Sequence, residues 1–410
     1  MDQRRLHKTI ENIASKRFDT EEEMLISVLN EIVGHQSIGV TGGRIWKLLP
    51  ENRSYILFYQ TGNLEKIEPD FELKLAEYPI FDLVAKERTI AADETNLILR
   101  EKGIFKYSAS GVGDKIKIDG KPYYEYLLAL NTEFVDENHR LTLSIIATSL
   151  TSQIKQRRYS QSASSLKADL DKARELQKSI LPEHEYSFYN YELFGITDPA
   201  EIVGGDFFDY LEVGDDLERI GIAVGDAASK GVSAAAEAMY ISGALRMASN
   251  FEIKIAPLMK RMNQLVNKIF DDDKFASLFY GELSTDKSGL FLFSNAGHNP
   301  PIFIRNKTDE IIRLEPTGPV LGPEPHAKYT IENINFLKND VLVIYTDGLI
   351  DSANSEFENY GEERFIKLLK KIKNNTSKEI AYEILNDVIN FSKNGSYSDD
   401  KTLVIIKRIN

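Results

Sequence analysis

Four aspartates that adjoin short apolar runs constrain this chain more than any other feature. They lie in Val203-Gly204-Gly205-Asp206-Phe207-Phe208-Asp209, in Ile222-Ala223-Val224-Gly225-Asp226, in Val341-Leu342-Val343-Ile344-Tyr345-Thr346-Asp347-Gly348, and in Asp399-Asp400 before Leu403-Val404-Ile405-Ile406. Such apolar runs predict buried strands, and a carboxylate beside a buried strand is costly unless a positive charge meets it. Three of the four motifs contain no Lys or Arg. The pattern therefore predicts a hard divalent cation, which favours Mg²⁺ or Mn²⁺ over Zn²⁺.

Length and composition narrow the class of protein. The 410 residues suit two domains. The absence of cysteine excludes disulfides and thiolate metal sites, and it fits a reducing compartment. The net charge of −13 disfavours nucleic acid as a partner, and no run approaches the ~20 apolar residues of a membrane helix. The sequence therefore predicts a cytoplasmic protein without a nucleic-acid or membrane partner.

The first 155 residues predict a small α+β domain. A helical pattern over residues 1–35 is followed by predicted strands over residues 44–49 and 55–60, a helix over residues 80–87 and a strand over residues 123–130. This order resembles a GAF-type sensory domain. The resemblance implies a small-ligand pocket, which Trp46, Tyr59 and Tyr107 could line, although each is also a plausible core or surface aromatic.

A helical pattern then runs from Asp136 to Leu181, and Pro182 ends it. We interpret residues 156–185 as a helical linker, with its weakest point in the serine-rich stretch 160–165. Its apolar stripe consists of Leu166, Leu170, Ala173, Leu176 and Ile180. A stripe with charged flanks is typical of a helix that pairs with a second copy, so the linker predicts a homodimer and a switch. The alternative is a helix that packs on its own domains.

Residues 186–410 predict a second domain. Its predicted strands come in adjacent pairs joined by turns, and its helices also come in pairs. This grouping indicates a four-layer α-β-β-α sandwich and not an alternating βα fold. Strand ends in two packed sheets can converge on one rim, where Asp206, Asp226, Asp347 and Asp399 would meet. A pair of divalent cations held there would lower the pKa of a shared water, which could then attack phosphorus.

Five motifs follow one another in the second half of the chain. They are Val203–Asp209, Gly225-Asp226 with Lys230-Gly231, Asn295-Ala296-Gly297-His298, Thr346-Asp347-Gly348, and Asp399-Asp400-Lys401-Thr402. Together with Leu176-Gln177-Lys178-Ser179-Ile180-Leu181-Pro182, they resemble the motifs of PPM-type (type 2C) serine/threonine phosphatases. The bacterial branch that includes SpoIIE and RsbU is the most similar, over about residues 170–410.

The resemblance implies a role for each aspartate. Asp206 and Asp226 would bridge or flank two Mn²⁺ or Mg²⁺ ions, with the backbone carbonyl of Ala227 as a further ligand. Asp347 and Asp399 would complete the shell of the second ion. Asp400 and Asp209 would lie outside the first shell or hold a third, weaker ion.

Four other positions have open roles. Glu201 and Ala228 stand where eukaryotic type 2C enzymes carry a phosphate-binding Arg and a candidate acid His, so the proton donor is unnamed. We interpret His298 as a structural residue that hydrogen-bonds a loop. Lys230 could contact the substrate phosphate or be a solvated loop residue, with neither reading preferred.

The resemblance implies a metal-dependent protein serine/threonine phosphatase that is regulated through its N-terminal domain. The implied substrate is a phosphorylated anti-sigma-factor antagonist in a partner-switching pathway. Two alternatives belong to other classes: a catalytically silent phosphatase-like scaffold, and a ligand-sensing nucleotide-binding signalling protein. The chain has no Gly-x-x-x-x-Gly-Lys-Ser/Thr loop, which disfavours ATP hydrolysis.

Overall fold

A computed structural model describes residues 16, 18–34, 40–132, 137–214, 218–251, 253–271, 274–395 and 399–410. The chain divides into two compact units, Met1–Ser165 and Leu166–Asn410. Among the described helices, none combines the length and the apolar character needed to cross a membrane. Residues 1–15 of the helical pattern predicted over residues 1–35 lie outside the described residues.

The first unit is built on one antiparallel sheet. Its elements are α1 (Glu21–Gly34), β1 (Val40–Leu49), β2 (Ser54–Gly62), β3 (Glu72–Lys74), α2 (Ile80–Glu87), β4 (Thr89–Asp93), α3 (Leu97–Glu101), β5 (Lys106–Ile118), β6 (Lys121–Thr132) and the start of α4 (Glu137–Ile180). Within the described residues the strand order is β3-β2-β1-β6-β5-β4. At the start of α1, Thr20 Oγ1 accepts a hydrogen bond from the Glu23 N–H, as expected of an N-cap.

Alternating side chains give this sheet two apolar faces. Leu128 of β6 packs with α1 and with the first turns of α4, through residues such as Leu25 and Leu143. Leu127, the neighbouring residue, belongs to the other face, where it packs with Phe81 of α2. Because successive strand residues point to opposite faces, one apolar strand can serve both layers.

The helix α4 is continuous from Glu137 to Ile180, through the serine-rich stretch 160–165. The helix therefore has no break at this stretch. The stretch contains neither Gly nor Pro, so no residue in it removes a backbone donor or greatly lowers helix propensity.

The second unit contains two antiparallel sheets and four further helices within the described residues. Its elements are β7 (Glu185–Phe188), β8 (Tyr191–Asp198), β9 (Asp206–Val213), β10 (Arg219–Ala227), α5 (Gly231–Ser249), α6 (Ile255–Ile269), β11 (Ala276–Ser284), β12 (Leu290–Ala296), β13 (Ile302–Ile304), β14 (Ile311–Arg313), β15 (Glu332–Asn335), β16 (Val341–Tyr345), α7 (Glu362–Ile372), α8 (Ser377–Ser392) and β17 (Lys401–Arg408). One sheet has the order β15-β12-β11-β10-β9, and the other has the order β14-β13-β16-β17-β8-β7.

Three apolar clusters show which layers touch. Leu342 and Ile344 of β16 pack against residues of the other sheet, such as Phe208. Val343, from the opposite face of β16, packs against α7 and α8. The outer face of the other sheet packs against α5 and α6, for example through Phe207. Both sheets are therefore covered on both faces. The aspartates singled out in the sequence lie where strands begin or end.

Candidate metal centre

The strands β9 and β10 bring the first two aspartates together. Asp206 is the first residue of β9, and Asp226 is its direct partner on β10, one residue before that strand ends. Both aspartates therefore lie at strand boundaries, Asp206 at a start and Asp226 near an end. Because the two strands are antiparallel, the start of β9 and the end of β10 lie side by side, at the same end of the strand pair.

The second sheet supplies the other aspartates in the same way. Asp347 lies two residues after β16, and Asp399 and Asp400 directly precede β17. The Thr346 N–H donates to the Thr402 carbonyl over 3.0 Å, so the ends of these antiparallel strands are adjacent. A Cβ on Gly348 would lie 2.0 Å from the Asp400 carbonyl oxygen. Only glycine permits so close an approach of the two segments.

Hydrogen bonds join the strand ends of the two sheets at which these aspartates lie. Asp400 accepts from the Ala200 N–H over 2.8 Å and from the Gly205 N–H over 2.7 Å, one on each carboxylate oxygen. Thr346 donates its hydroxyl to Asp206 Oδ2 over 2.7 Å. The aspartates from both sheets therefore lie at one rim, and Asp400 fixes the loop that leads into β9.

The charges of these aspartates act on one another. Burial and then the charges of Asp226 and Asp400 raise the pKa of Asp206 well above its ordinary value. Burial and then the charges of Asp347, Asp399 and Asp400 raise the pKa of Asp226 to about 7. Burial and the charge of Asp399 also raise the pKa of Asp347. Grouped carboxylates resist ionisation in this way unless a cation neutralises them.

These residues fit a hard divalent cation, because every donor is an oxygen. The Ala227 carbonyl adds another oxygen at the same rim, since a Cβ on Gly205 would lie 2.8 Å from it. Within the described part of the chain, no three His, Cys, Asp or Glu side chains are already arranged to hold a metal ion.

Asp209 lies on the other face of β9 from Asp206. It is 1% exposed, and its carboxylate accepts hydrogen bonds from the Ser242 hydroxyl, the Tyr210 N–H and two nitrogens of Arg246. An odd spacing along a strand puts the two aspartates on opposite faces. Asp209 is therefore engaged in an internal ion pair beneath α5, which disfavours a role in holding a third ion.

His298 is buried behind the site. Its ring Nδ1 lies 2.8 Å from the Ser277 hydroxyl oxygen, and Ser277 is the β11 partner of Asp226. Burial lowers the pKa of His298 to about 4, so the ring is neutral near pH 7. These contacts favour the structural interpretation of His298. Lys230, Glu201 and Ala228 are exposed in the loops around the rim.

Sequence reasoning missed two side chains that hold Asp206 in place. The buried Gln177, near the end of α4, donates its amide to the Gly204 carbonyl over 2.7 Å and accepts from the Gly204 N–H over 3.3 Å. Thr346 was quoted within a motif, but no role was assigned to it. The sequence signal for Gln177 was weak, because a single glutamine on a polar helix is ordinarily solvated.

The chain is similar to several known proteins. Residues 216–409 match the family model described as Stage II sporulation protein E (SpoIIE). The chain is 28% identical to Protein IcfG of Synechocystis sp. over 268 residues, which is 58% of this chain and 41% of that protein. It is 25% identical to the phosphoserine phosphatase RsbU of Bacillus subtilis over 245 residues, which is 59% of this chain and 71% of that protein.

A solved structure shares the fold. The SiaA-PP2C domain of Pseudomonas aeruginosa superposes with a TM-score of 0.50 at 20% sequence identity, covering 61% of this chain and 99% of that domain. The family match lies within the second unit of the chain. Residues 216–409 are therefore similar to the SpoIIE family, and the chain shares the fold of a PP2C domain.

Proposed function

We propose that this chain is a metal-dependent phosphatase that removes phosphate from phosphoserine or phosphothreonine in a protein. The observation that carries the proposal is the convergence of aspartates from two sheets on one rim, where their charges raise the pKa values of one another. Proteins of this domain family depend on Mn²⁺ or Mg²⁺ in general. We assign Asp206, Asp226, Asp347 and Asp399, with the Ala227 carbonyl, as the ligands of two such ions.

Bound cations would supply an activated water and neutralise charge on the phosphoryl oxygens. The residues of the chain prepare the rim for them. The Thr346 hydroxyl orients Asp206 from behind. Asp400 has both oxygens engaged with backbone N–H groups, which favours a role in positioning the loop over direct ligation. The neutral His298 supports β11 behind Asp226.

The proposal is tested by turnover of para-nitrophenyl phosphate and of a phosphoserine-containing protein, with Mn²⁺ and with a chelator. We expect hydrolysis of both with Mn²⁺ and loss of both with the chelator. Absence of turnover with Mn²⁺ and with Mg²⁺ would favour the silent scaffold.

The substrate, the sensor and the layer order complete the proposed function. We assign a phosphorylated anti-sigma-factor antagonist as substrate, supported by the motif resemblance and by the similarity to a phosphoserine phosphatase. The apolar clusters support a four-layer α-β-β-α arrangement in the second unit. The six-stranded sheet with helices on both faces supports a GAF-like sensor in the first unit. Phosphate release from candidate phosphoproteins, with and without residues 1–165, tests the substrate and the sensor.

The linker also supports a homodimer. Leu166 and Leu176, two members of the predicted stripe, are 62% and 63% exposed. Exposed leucines at helical spacing gain stability when a second helix covers them. We expect Leu166→Glu with Leu176→Glu to convert a dimer into a monomer, measured as molar mass by light scattering. Glu replacement of the exposed Lys167 and Lys178 is the control, and a wild-type monomer would reject the proposal.

Gln177 offers a route from the linker to the metal centre. It is bonded to both backbone groups of Gly204, two residues before Asp206. A buried hydrogen bond of this kind contributes roughly 0.5–1.5 kcal/mol. We therefore expect Gln177→Ala to raise the Mn²⁺ concentration for half-maximal turnover about 3- to 10-fold.

The control for Gln177 is Gln161→Ala, the same substitution at an exposed position of the same helix. It is expected to leave the Mn²⁺ dependence unchanged. Equal half-saturation in Gln177→Ala and in the wild type would show that the linker end does not influence the metal centre.

A further inference from the structure

A small cavity lies inside the first unit, between the sheet and the helices α2 and α3. Its volume is about 50 Å³. Most of its lining is apolar and includes Trp46, Phe81 and Leu127, all buried. Two charged residues, Arg44 and Glu94, also line it. An apolar enclosure with a few polar groups is the usual form of a small-molecule site.

Arg44 is the unusual member of this lining. It is 1% exposed, and its two guanidinium hydrogen bonds go to neutral oxygens, the Asn131 side-chain oxygen at 3.0 Å and the Glu65 carbonyl at 2.8 Å. Its Nε is buried and has no hydrogen-bond partner. A buried guanidinium is costly unless an anion meets it. Arg44 therefore has an unused donor, and both of its hydrogen bonds go to neutral oxygens.

Glu94 does not fill that need. One of its oxygens accepts from the Asn96 N–H over 2.8 Å, and Tyr107 also hydrogen-bonds to it. The Glu65 carboxylate acts on Arg44 only from an exposed position, and burial lowers the pKa of Arg44 to about 10 in spite of it. The cavity thus contains a carboxylate that has hydrogen-bond partners and a guanidinium whose Nε has none.

We propose that this cavity binds a small aliphatic carboxylate, with its head group on the Arg44 guanidinium and its alkyl part against Trp46 and Phe81. The guanidinium fork matches carboxylate and phosphate geometry alike, and the apolar lining favours a carboxylate that carries an alkyl group. The volume is well below the ~300–1,000 Å³ of pockets for drug-sized ligands, which excludes a nucleotide from the cavity as it stands. The proposal concerns the first unit alone and does not depend on the phosphatase activity of the second.

The chain provides its own reporter of binding. Trp46 is its single tryptophan, and it lines the cavity. The experiment is a titration of the full chain with sodium propionate, followed by Trp46 fluorescence. Propionamide, which has the same shape without the charge, and sodium chloride at equal ionic strength are the control titrations. We expect a saturable change with propionate and none with either control.

Two variants test whether propionate binds in this cavity. Arg44→Met is expected to weaken propionate binding about 10-fold or more, because it removes the charged donor. Ala109→Val narrows the apolar lining while it keeps Arg44, and it is expected to weaken binding as well. The far-ultraviolet circular dichroism of each variant shows whether it is folded.

Three outcomes would overturn the proposal. They are equal binding of propionate and propionamide, a response to chloride as large as the response to propionate, and unchanged propionate binding in a folded Arg44→Met variant. If Arg44→Met does not fold, the folded Ala109→Val variant decides, and unchanged binding in it also overturns the proposal.

Discussion

Replacing Asp347 with Asn is expected to lower Mn²⁺-dependent turnover of para-nitrophenyl phosphate roughly 100-fold or more. The substitution keeps the size of the side chain and removes its charge. Asp347 is the most solvent-accessible of the proposed ligands, and partial burial followed by the charge of Asp399 raises its pKa. Removing the Asp347 charge would weaken the attraction of a cation to the solvent-exposed side of the rim. The measurement is initial rate against Mn²⁺ concentration for both proteins.

Asp351→Asn is the matched control. Asp351 lies on the same loop, is exposed, and contributes to the raised pKa of Asp347 through its charge. Its carboxylate accepts a hydrogen bond from the Asn359 side chain, and we assign it no ligand role. We expect its rate to stay within a few-fold of the wild type. Equal losses in both variants would indicate a general charge effect, and unchanged turnover in Asp347→Asn would reject Asp347 as a ligand.

The parts of the fold that sequence reasoning predicted have strong local signals. The run from Val341 to Tyr345 is apolar throughout because both faces of β16 are covered, one by the other sheet and one by α7 and α8. The run Leu403-Val404-Ile405-Ile406 of β17 is apolar for the same reason, because its residues also alternate between these two cores. The long helical pattern that ends before Pro182 was also predicted closely, since α4 spans Glu137–Ile180.

The parts that it missed have no local signal. The strand β9 begins with Asp206-Phe207-Phe208-Asp209, in which polar and apolar residues do not alternate. Phe207 and Phe208 enter different cores, while Asp209 is buried by pairing with Arg246. Period-two reasoning fails where both faces of a strand are covered.

Contacts between distant residues are the other limit. The positions at strand boundaries led to the expectation that the aspartates meet at one rim, but not to the contacts of Asp400 with the Ala200 and Gly205 N–H groups. The bond from Gln177 to Gly204 joins residues that are 27 positions apart. Such contacts depend on how the elements pack, and neither helix propensity nor strand pattern encodes them.

Replacing Arg246 with Met is expected to destabilise the second unit by about 3 kcal/mol. Arg246 on α5 donates to both oxygens of Asp209, which is 1% exposed, and it also donates to the Ile180 carbonyl at the end of α4. Breaking a buried ion pair costs about 3–5 kcal/mol because one charge is left without a partner. The Arg246 side chain is 41% exposed, so water can partly replace it, and we expect the low end of that range.

The measurement is hydrogen exchange followed by mass spectrometry on the full chain. Peptides from β9 and α5 are expected to exchange about 100-fold faster in Arg246→Met, since 1.4 kcal/mol corresponds to a factor of ten. Peptides from β1 and β6 of the first unit serve as an internal reference. Arg261→Met, the same substitution at an exposed position of α6, is expected to leave all these rates unchanged.

A second substitution tests whether the Asp209 carboxylate, left without its partner, accounts for the faster exchange. Combining Arg246→Met with Asp209→Leu removes the stranded carboxylate, so the double variant is expected to exchange more slowly than Arg246→Met alone. If the double variant exchanges faster still, the hydrogen bonds that Asp209 accepts from Ser242 and from the Tyr210 N–H matter more than its stranded charge. Because Arg246 also holds the Ile180 carbonyl, both variants release the end of α4 from α5. A raised Mn²⁺ requirement in both, including the one with restored stability, would then be due to the linker contact and not to partial unfolding.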